Sequence, residues 1–558
     1  MIRTSRKTWT LAAAALCVLA PARPRPAASP RLVVLVAVDQ MIPEQLERLA
    51  PHLDGGLGRF VTAGRVWPAA ELRHAATETG PGHATLGTGV LPSRHGIVGN
   101  AYYDRAAGSW RYCAQDDEAL LLAPGGAIRD AAPGGPSGAN LLVPGFAERL
   151  RDAFPGSRSV AIAGKDRAAT LMAGRRPDRA LWWDRRAGGF TSSSAYEAEL
   201  PDWVLAWNAG WTARADGHLW EPCFEGDLEG TGTAPDDRPG EAALGVAGHV
   251  FPYRAPALGQ DPEPIRLQAL AGFVYASPLV DRFVVDLAIE ALERLDLGAD
   301  GAVDLLALSL SACDTVGHRS GPYSRETTDV ILRADDELER LFTRLDERLG
   351  PGGWIAALSS DHGVLELPEA LAERGVGARR IFSNEVRRSL AAVREALQER
   401  FGGEFFGAAL PGTGLTLDAG AIEAAGADPA QVRALARDVL AAECGWIADA
   451  YTWDELAAPE PARDAFMVLE RASFVPARAP DVVLRLQPWI VLDFRAGTSH
   501  GTPYPYDRRV PVAFLGPGVT AGKSFERASP MDVLPTVLAL LGAAVPEGLD
   551  GRPLLRSE

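Results

Sequence analysis

Three aspartates and three histidines in this sequence have the types and surroundings of metal ligands. They are Asp39, Asp314, His318, Asp361, His362 and His500. Carboxylate oxygens and imidazole nitrogens are the ligands that zinc-like ions take in proteins. Six such groups suffice for two ions with three protein ligands each, which leaves room on each ion for a nucleophile or a substrate. A single aspartate or histidine of this kind is more often structural, but the combination predicts a two-metal hydrolytic site.

A hydroxyl group that such a site could activate lies in the segment 76–85, which reads as a turn that leads into a helix. Thr79 would stand at or just before the N-terminus of that helix, and Pro81 is allowed in its first turn. Helix N-termini attract anions because their free N–H groups and their dipole point outward. A metal-coordinated Thr79 hydroxyl could therefore ionise near neutral pH and attack phosphorus. The alternative is that Thr79 only caps the helix.

The elements that must position these residues are visible as unbroken apolar runs. Such runs cover 31–39, 159–164, Asp304–Leu310, 354–358 and 510–515. They are typical of strands that are buried on both faces of a parallel sheet. Helical patterns at 43–53, 280–295, 327–349 and 531–541 lie between them. This alternation predicts an α/β fold with a mostly parallel central sheet, whose ligands bind beyond the carboxyl ends of the strands.

Composition excludes several classes of protein. The 558 residues are 47% hydrophobic and 23% charged, which argues against a disordered or fibrous chain. The formal net charge of −16 argues against loose binding to nucleic acid or to anionic membranes. An anionic substrate would need a local cluster of cations. Lys165, one of only three lysines, is a candidate for it.

The N-terminus has the layout of a secretory signal peptide. Three basic residues precede a short apolar stretch, and Ala20-Pro21-Ala22 offers a small-residue cleavage site. We expect a signal peptide at 1–22, with a boundary uncertain to about residue 30, and therefore a periplasmic or secreted protein. The apolar stretch is shorter than the ~20 residues of a membrane span, so no membrane anchor is expected. A disordered extension is the alternative.

Four cysteines remain after such cleavage, namely Cys113, Cys223, Cys313 and Cys444. An exported protein can form disulfides, but the sequence leaves their pairing open. No Cys/His zinc-finger spacing is present, so the cysteines are not expected to carry the chemistry.

The motifs taken together resemble the alkaline phosphatase superfamily. They are Asp39, Thr79-Gly-Pro-Gly-His, Pro92-Ser-Arg-His-Gly-Ile-Val-Gly-Asn100, Asp314-x-x-x-His318, Asp361-His362-Gly and His500-Gly-Thr. The chain looks most like the phosphate-irrepressible branch with a threonine nucleophile, which is related to the nucleotide pyrophosphatase/phosphodiesterases. The resemblance covers nearly all of 31–558. It implies one alkaline-phosphatase-like catalytic domain, a three-layer αβα sandwich with capping insertions at about 180–275 and 365–480.

The same resemblance implies two Zn²⁺ ions and a role for each site residue. Asp39, Thr79, Asp361 and His362 would hold the zinc that activates the nucleophile. Asp314, His318 and His500 would hold the zinc that stabilises the leaving-group oxygen, and Asn100 would hydrogen-bond a phosphoryl oxygen. The implied reaction passes through a covalent phosphothreonine at Thr79.

Lys165 and Arg167 bear on the choice between phosphate monoesters and diesters. They follow the 159–164 strand, so their side chains should reach the same sheet edge, and they match the Lys-x-Arg pair of the monoesterase branch. A monoester dianion places more charge on its terminal oxygens than a diester does, and two cations compensate that charge. We therefore favour an exported phosphomonoesterase acting on small-molecule esters. A surface salt-bridge cluster is the alternative for this pair.

Three further questions stay open at this point. A phosphodiesterase or nucleotide pyrophosphatase on the same scaffold is the alternative enzyme, and an inactive metal-stabilised binding protein is the alternative of another class. The six tryptophans between 182 and 220 could line a substrate cleft or form the core of an insertion. A monomer is favoured, although the sequence does not determine the oligomeric state.

Overall fold

The computed structural model describes residues 30–125, 134–226, 228, 230–244, 248–259, 263–402, 414–492 and 494–556. The expected signal peptide at 1–22 lies outside the described residues. Among the helices that the structure describes, none has both the length and the apolar character needed to cross a membrane.

The described residues form one central sheet of nine strands. In chain order they are β1 (Leu32–Val38), β2 (Arg65–Glu71), β3 (Ser159–Ala163), β4 (Arg179–Trp183), β5 (Phe190–Thr191), β6 (Asp304–Leu310), β7 (Trp354–Ser359), β8 (Arg509–Leu515) and β9 (Gly522–Lys523). Their spatial order is β9-β2-β8-β7-β1-β6-β3-β4-β5. The five consecutive strands from β7 to β4 are parallel, whereas β8 and β5 run antiparallel to their neighbours. The predicted apolar runs are confirmed as strands of this sheet.

Helices cover both faces of the sheet. Residues of β1 alternate between two cores: Val34 and Val36 belong to one, and Val33 and Leu35 belong to the other. The helices packed on the first face are Pro43–Leu49, Gly56–Ala63, Asp202–Asn208, Trp211–Ala215, Pro264–Tyr275, Leu279–Arg294, Ala312–Ser320 and Arg325–Leu349. Those on the second face are Thr79–Thr88, Phe146–Ala153, Asp166–Met172 and Val533–Leu540. Burial of β1 on both faces is the reason its sequence is uninterrupted by polar residues.

The tryptophan-rich segment is part of this framework. Trp182 and Trp183 lie in β4, and Trp207, Trp211 and Trp220 are buried in the core of the first helical layer. Trp183 packs edge-on against Trp211, with ring centroids 5.3 Å apart. Trp183, Trp207, Trp211 and Trp220 are therefore core residues of this layer, whereas Trp182 belongs to the core on the other face of the sheet and Trp203 is only partly buried.

The segment from about 365 to 480 has a hydrophobic core of its own. Its helices are Pro368–Glu373, Ser383–Phe401, Ala419–Ala424, Pro429–Glu443, Trp453–Ala457 and Ala465–Ala472. Three strands, Gly414–Leu415, Ile447–Thr452 and Val482–Leu486, form a small sheet beneath them. Residues such as Val393, Val432 and Leu484 build a cluster that is distinct from both cores of the central sheet. We refer to this segment as the cap.

Smaller elements connect these parts. They are the hairpin Ala101–Asp104 with Ser109–Tyr112, the parallel pair Arg379–Ile381 with Ile490–Leu492, the strand pairs Leu219–Trp220 with Tyr253–Arg254 and Gln115–Asp116 with Gly135–Pro136, and the short helices Pro92–His95 and Pro505–Arg508. The four cysteines Cys113, Cys223, Cys313 and Cys444 are free thiols. The structure therefore pairs none of the four in a disulfide.

Candidate active site

The six predicted ligands meet at one edge of the sheet. Asp39 directly follows β1, Asp361 follows β7, and Asp314 lies in the first turn of the helix after β6. His500 instead precedes β8. Because β8 is antiparallel to β7, the start of β8 lies at the edge where the parallel strands end. A residue before β8 and residues after the other strands therefore share one site.

Asp314, His318 and His500 form one group of converging ligand atoms. One atom from each lies within 4.8 Å of the others. The i, i+4 spacing on the helix Ala312–Ser320 brings His318 Nε2 within 3.2 Å of Asp314 Oδ1, and His500 Nε2 is 3.7 Å from the same oxygen. Two histidines and one carboxylate are a common donor set for a zinc ion with an open position.

Asp39, Asp361 and His362 lie beside this first group. His362 Nε2 is 3.3 Å from Asp361 Oδ2 and 3.6 Å from Asp39 Oδ1. The rings of His362 and His500 stack with centroids 3.5 Å apart, so the two ligand sets abut. Asp39, Asp314 and His362 also converge within 4.8 Å, which makes the arrangement a single double cluster.

The histidines are oriented by their other ring nitrogen. In each, Nδ1 is in hydrogen-bond contact with a backbone carbonyl, which fits an Nδ1–H donor: His318 with Thr498 at 2.8 Å, His500 with Thr77 at 2.7 Å and His362 with Gly363 at 3.0 Å. A histidine held in this way presents Nε2 as the free ligand nitrogen. All three Nε2 atoms point at the aspartates.

Buried atoms without hydrogen bonds test whether metal ions fit here. Among the described residues, Oδ1 of Asp39 and Nε2 of His362 are buried and make no hydrogen bond. Unpaired buried polar atoms are costly, and those in native structures call for a partner such as an ion. Oxygen and nitrogen donors that converge in this way fit zinc-like ions.

Lys165 lies between the two ligand sets. Its Nζ is 2.5 Å from Asp39 Oδ2 and 2.5 Å from Asp314 Oδ2, and it is 3.5 Å from the hydroxyl of Thr79. Burial lowers the pKa of the lysine, but the two carboxylates outweigh burial and raise it above its ordinary value. The ammonium therefore stays charged. Its contact with both aspartates is a feature that the sequence did not predict.

The same charges act on the aspartates. Burial alone would raise the pKa of Asp314, yet Lys165 and then His318 outweigh it and hold that pKa well below the usual range. Burial, and next the neighbouring Asp361, raise the pKa of Asp39. The site thus concentrates negative charge that is only partly neutralised by protein cations.

Thr79 is the first residue of the helix Thr79–Thr88, and Glu78 is its N-cap. The side chain of Thr79 faces cations: Arg167 Nη2 is 3.2 Å from its hydroxyl oxygen. The second glycine of the Thr79-Gly-Pro-Gly-His motif allows this helix to approach the metal ligands. A Cβ atom at Gly82 would lie 2.0 Å from the backbone oxygen of Asp361, so no other residue fits there without displacement.

Asn100 is tied to the same helix end. Its Oδ1 accepts a hydrogen bond from Gly80 N at 2.8 Å, and its own backbone N–H donates to Glu78 Oε2 at 2.8 Å. Because the carbonyl half of the amide is engaged, Nδ2 is the half that can donate to a substrate oxygen. All ten predicted site residues are therefore brought to one place, although their catalytic roles stay a prediction.

Three residues around the site are not among the ten predicted catalytic, metal-binding and substrate-binding residues. Gln40, with a φ of 70°, donates from Nε2 to Asp314 Oδ1 at 2.9 Å and from its backbone N–H to Asp361 Oδ1 at 3.1 Å. His83 contacts the Thr79 carbonyl and Ser309 with its two ring nitrogens, and its Nδ1 is 3.1 Å from Asp361 Oδ2. The sequence feature that singles out His83 is its place at the end of the Thr79-Gly-Pro-Gly-His motif.

The third is Asp281, which caps the helix that carries Asp314 and His318. Its Oδ1 accepts hydrogen bonds from the backbone N–H groups of Ser311 at 2.6 Å and Ala312 at 3.1 Å. No sequence pattern links Asp281 with Ser311 and Ala312, which lie about thirty residues further along the chain. Gln40 has a weak signal, since it follows a predicted ligand, but its positive φ cannot be read from the sequence.

The chain is similar to known alkaline phosphatases over nearly its whole length. The chain is 28% identical over 538 residues to alkaline phosphatase PhoV of Synechococcus elongatus, a match that covers 95% of this chain and 93% of the relative. It is 30% identical over 555 residues to alkaline phosphatase PhoK of a Sphingomonas species, covering 96% and 92%. The crystal structure of wild-type alkaline phosphatase PafA superposes with a TM-score of 0.83 at 26% identity, covering 95% of this chain and 99% of that one.

The superposition with PafA confirms the predicted α/β fold of the alkaline phosphatase type. A family model described as type I phosphodiesterase / nucleotide pyrophosphatase matches residues 33–487, which is most of the chain. The predicted family resemblance is thereby confirmed, and this protein belongs to the type I phosphodiesterase / nucleotide pyrophosphatase family.

Proposed function

We propose that this protein is an exported alkaline phosphatase that holds two zinc ions and hydrolyses phosphate monoesters through a phosphothreonine at Thr79. Relatives named alkaline phosphatase match along nearly the whole chain, and the chain is a phosphatase hydrolase. The identity and number of the metal ions, the threonine mechanism and export are the parts that we propose.

One observation carries the preference for monoesters. Lys165 Nζ and Arg167 Nη2 both approach the Thr79 hydroxyl, at 3.5 and 3.2 Å. A phosphoryl group attacked by Thr79 would have its non-bridging oxygens beside both cations. A monoester dianion gains more from two adjacent cations than a singly charged diester does. A diesterase would instead be expected to offer a neutral or apolar pocket for its second ester group.

We divide the ligands into the two sets that the family resemblance implies. Asp39, Asp361 and His362, with Thr79, would hold one ion, and Asp314, His318 and His500 would hold the other. When bound, the two ions would lower the pKa of hydroxyl groups in the site and stabilise negative charge that develops on oxygen.

The chain's own residues then carry out two displacements. Thr79 Oγ1 attacks phosphorus as the bond from phosphorus to the ester oxygen breaks, and water later displaces Thr79 to release phosphate. The Lys165 ammonium favours the ionised form of the Thr79 hydroxyl. Arg167 and Asn100 hold the non-bridging oxygens throughout, which stabilises the charge of both transition states.

The test compares a monoester with a diester of the same alcohol. We expect Arg167→Ala to lower kcat/KM for the monoester by about 10²- to 10³-fold, the loss typical of one charge-stabilising donor, while diester turnover changes little. Arg167 hydrogen-bonds the Thr79 hydroxyl but forms no ion pair with the proposed aspartate ligands among the described residues, so the variant should retain its zinc. Lys165→Ala should be at least as damaging. Lys523→Ala removes an exposed lysine on β9 and serves as the control.

Phosphodiesterase activity is the second candidate, because the matching family model carries that description. It predicts that the wild-type protein prefers the diester and that Arg167→Ala spares it. A zinc-loaded protein with that behaviour would replace our proposal. A protein that binds no transition metal and hydrolyses neither ester would remove both.

We also propose the organisation of the full chain. Residues 1–22 would be a signal peptide, and 31–558 one catalytic domain acting as a monomer on small-molecule esters. Its insertions would lie at about 365–480 and within about 180–275, where β4 and β5 themselves belong to the central sheet. Mass spectrometry of protein recovered from the periplasm or the medium would test the cleavage site. Light scattering would test the oligomeric state.

A further inference from the structure

A cleft of about 440 Å³ opens beside the proposed metal ligands. Its lining includes His318 and His500, together with Glu78 and Asn100, but not the nucleophile Thr79 or the cations Lys165 and Arg167. The cleft therefore reaches the two histidines on whose side the proposed function puts the leaving group. Its volume is in the range of small-molecule binding sites.

One side of this cleft is apolar. The residues Leu365, Leu486, Ile490, Val491, Leu492 and Phe494 form what we call the apolar wall. The strand Ile490–Leu492 supplies three of them and is held in place by its pairing with Arg379–Ile381. Leu365, Leu486, Ile490 and Val491 are almost fully buried, so the apolar surface open to a ligand is that of Leu492 and Phe494. Apolar surface in a cleft is typical of a binding site.

Phe494 stands out within the wall. Seven large hydrophobic side chains are exposed among the described residues, and of these only Phe494 lines the cleft, with 40% of its surface exposed. Its ring is parallel to the imidazole of His318, with an interplanar angle of 2° and centroids 6.3 Å apart. A flat face is thus turned toward the leaving-group side of the site.

Arg380 anchors the backbone at Phe494 and Gly497. Arg380 Nη1 donates to the backbone oxygens of Phe494 at 3.4 Å and Gly497 at 2.7 Å. The guanidinium is itself held by Glu369 at 2.8 and 2.6 Å, and its side chain is 6% exposed. An aromatic side chain on an anchored backbone loses less entropy when a ligand stacks on it than one on an unanchored backbone does.

We propose that the apolar wall is a leaving-group subsite and that the favoured substrates are monoesters whose alcohol carries a flat aromatic ring, which packs against Phe494. This inference rests on the proposed function, because it takes the His318 and His500 side as the exit of the leaving group. The ring would be bound equally in the ground state and the transition state. Its removal should therefore appear mainly in KM.

The experiment uses the zinc-loaded full-length protein and three esters of primary alcohols with similar leaving oxygens: ethyl, 2-cyclohexylethyl and 2-phenylethyl phosphate. We expect 2-phenylethyl phosphate to have the highest kcat/KM, about ten-fold above ethyl phosphate. Phe494→Ala should remove about ten-fold from the aromatic ester through KM and leave the ethyl ester within about two-fold. Phe494→Tyr should keep the preference.

Phe525→Ala, which truncates a phenylalanine that is 74% exposed and lies away from the cleft, is the matched control. Equal losses for all three esters in Phe494→Ala would overturn the subsite and leave Phe494 as a support for His318. Equal kcat/KM for the cyclohexyl and phenyl esters would overturn the requirement for a flat ring.

A binding measurement separates this inference from the proposed function. By calorimetry, 3-phenylpropylphosphonate should bind to the wild type about ten-fold more tightly than propylphosphonate does. The two phosphonates should bind to Phe494→Ala with equal affinity. If no ester is hydrolysed but this binding difference holds, the proposed function fails and the subsite stands. If the esters are hydrolysed and the binding difference is absent, only the subsite fails.

Discussion

Asp281 offers a sharp test of how burial acts on the framework of the active site. The carboxyl group is 2% exposed and caps the helix Ala312–Ser320 through two backbone N–H groups, while its Oδ2 has no hydrogen bond among the described residues. Burial raises the pKa of Asp281 to about 7 from 3.8, more than the two N–H donors lower it. At a pH between these two pKa values, the folded protein therefore keeps a proton on Asp281 that the unfolded chain has released.

The sign and size of the effect follow from these two pKa values. Between pH 4 and pH 7 the folded state binds more protons at Asp281 than the unfolded state does, so the contribution of this group to stability falls as the pH rises. At 1.36 kcal/mol per pH unit, the full change is about 4 kcal/mol, and about 3 kcal/mol of it lies between pH 5 and pH 8.

Asp281→Asn removes the titration and keeps the oxygen that caps the helix. The variant should therefore gain stability relative to the wild type as the pH is raised. An unfolding entropy of ~2.1 cal/mol/K per residue gives ~1.2 kcal/mol/K for this chain length, so the difference in Tm between variant and wild type should shift by about 2 to 3 °C from pH 5 to pH 8.

Differential scanning fluorimetry of the zinc-loaded proteins at several pH values measures this shift. Asp152→Asn, at an exposed aspartate, is the control and should follow the wild type. The reasoning is refuted if the Tm difference for Asp281→Asn is the same at every pH, or if the variant loses stability as the pH rises. Either result would mean that Asp281 is ionised in the folded protein and acts as a charged cap.

Two further predictions concern the metal ligands. Gln40→Ala removes the hydrogen bond to Asp314 Oδ1, so the zinc concentration for half-maximal activity should rise about 10- to 100-fold, while kcat at saturating zinc should change little; an unchanged zinc titration would contradict this. Removal of metal with a chelator should abolish phosphatase activity and lower Tm, since ligand at about 1,000 times its Kd contributes about 4 kcal/mol of stability. Zinc should restore both, and activity that survives complete metal removal would contradict the proposed site.

Much of the fold could be predicted because the central strands are buried on both faces. The runs at β1 and β6 contain hardly a polar residue, so a two-sided burial pattern was visible directly. Four strands, β2, β4, β5 and β9, gave no such signal. The strand β2 has a proline at its centre and exposed positions, and β4 ends in two tryptophans that resembled the start of an insertion. Their place in the sheet depends on tertiary contacts.

The ligands could be predicted for a related reason. In a parallel sheet the residue after a strand lies at the site, so Asp39 and Asp361 were marked by position alone. His500 was marked by its motif, because the rule does not cover a residue before an antiparallel strand. Contacts such as Lys165 with both Asp39 and Asp314 depend on side-chain geometry across three strands, and no sequence spacing encodes them.

The charges of the site explain why metal and substrate should depend on each other. The carboxylates of Asp39, Asp314 and Asp361 exceed the cations Lys165 and Arg167 by one charge, in a chain whose net charge is −16. Protein residues alone therefore leave this site negative and unfavourable to a phosphate dianion. Two bound zinc ions, as proposed, would add four positive charges and make the net charge of the site positive. Binding of metal and of phosphate must then be thermodynamically linked, since each raises the affinity for the other by the same factor.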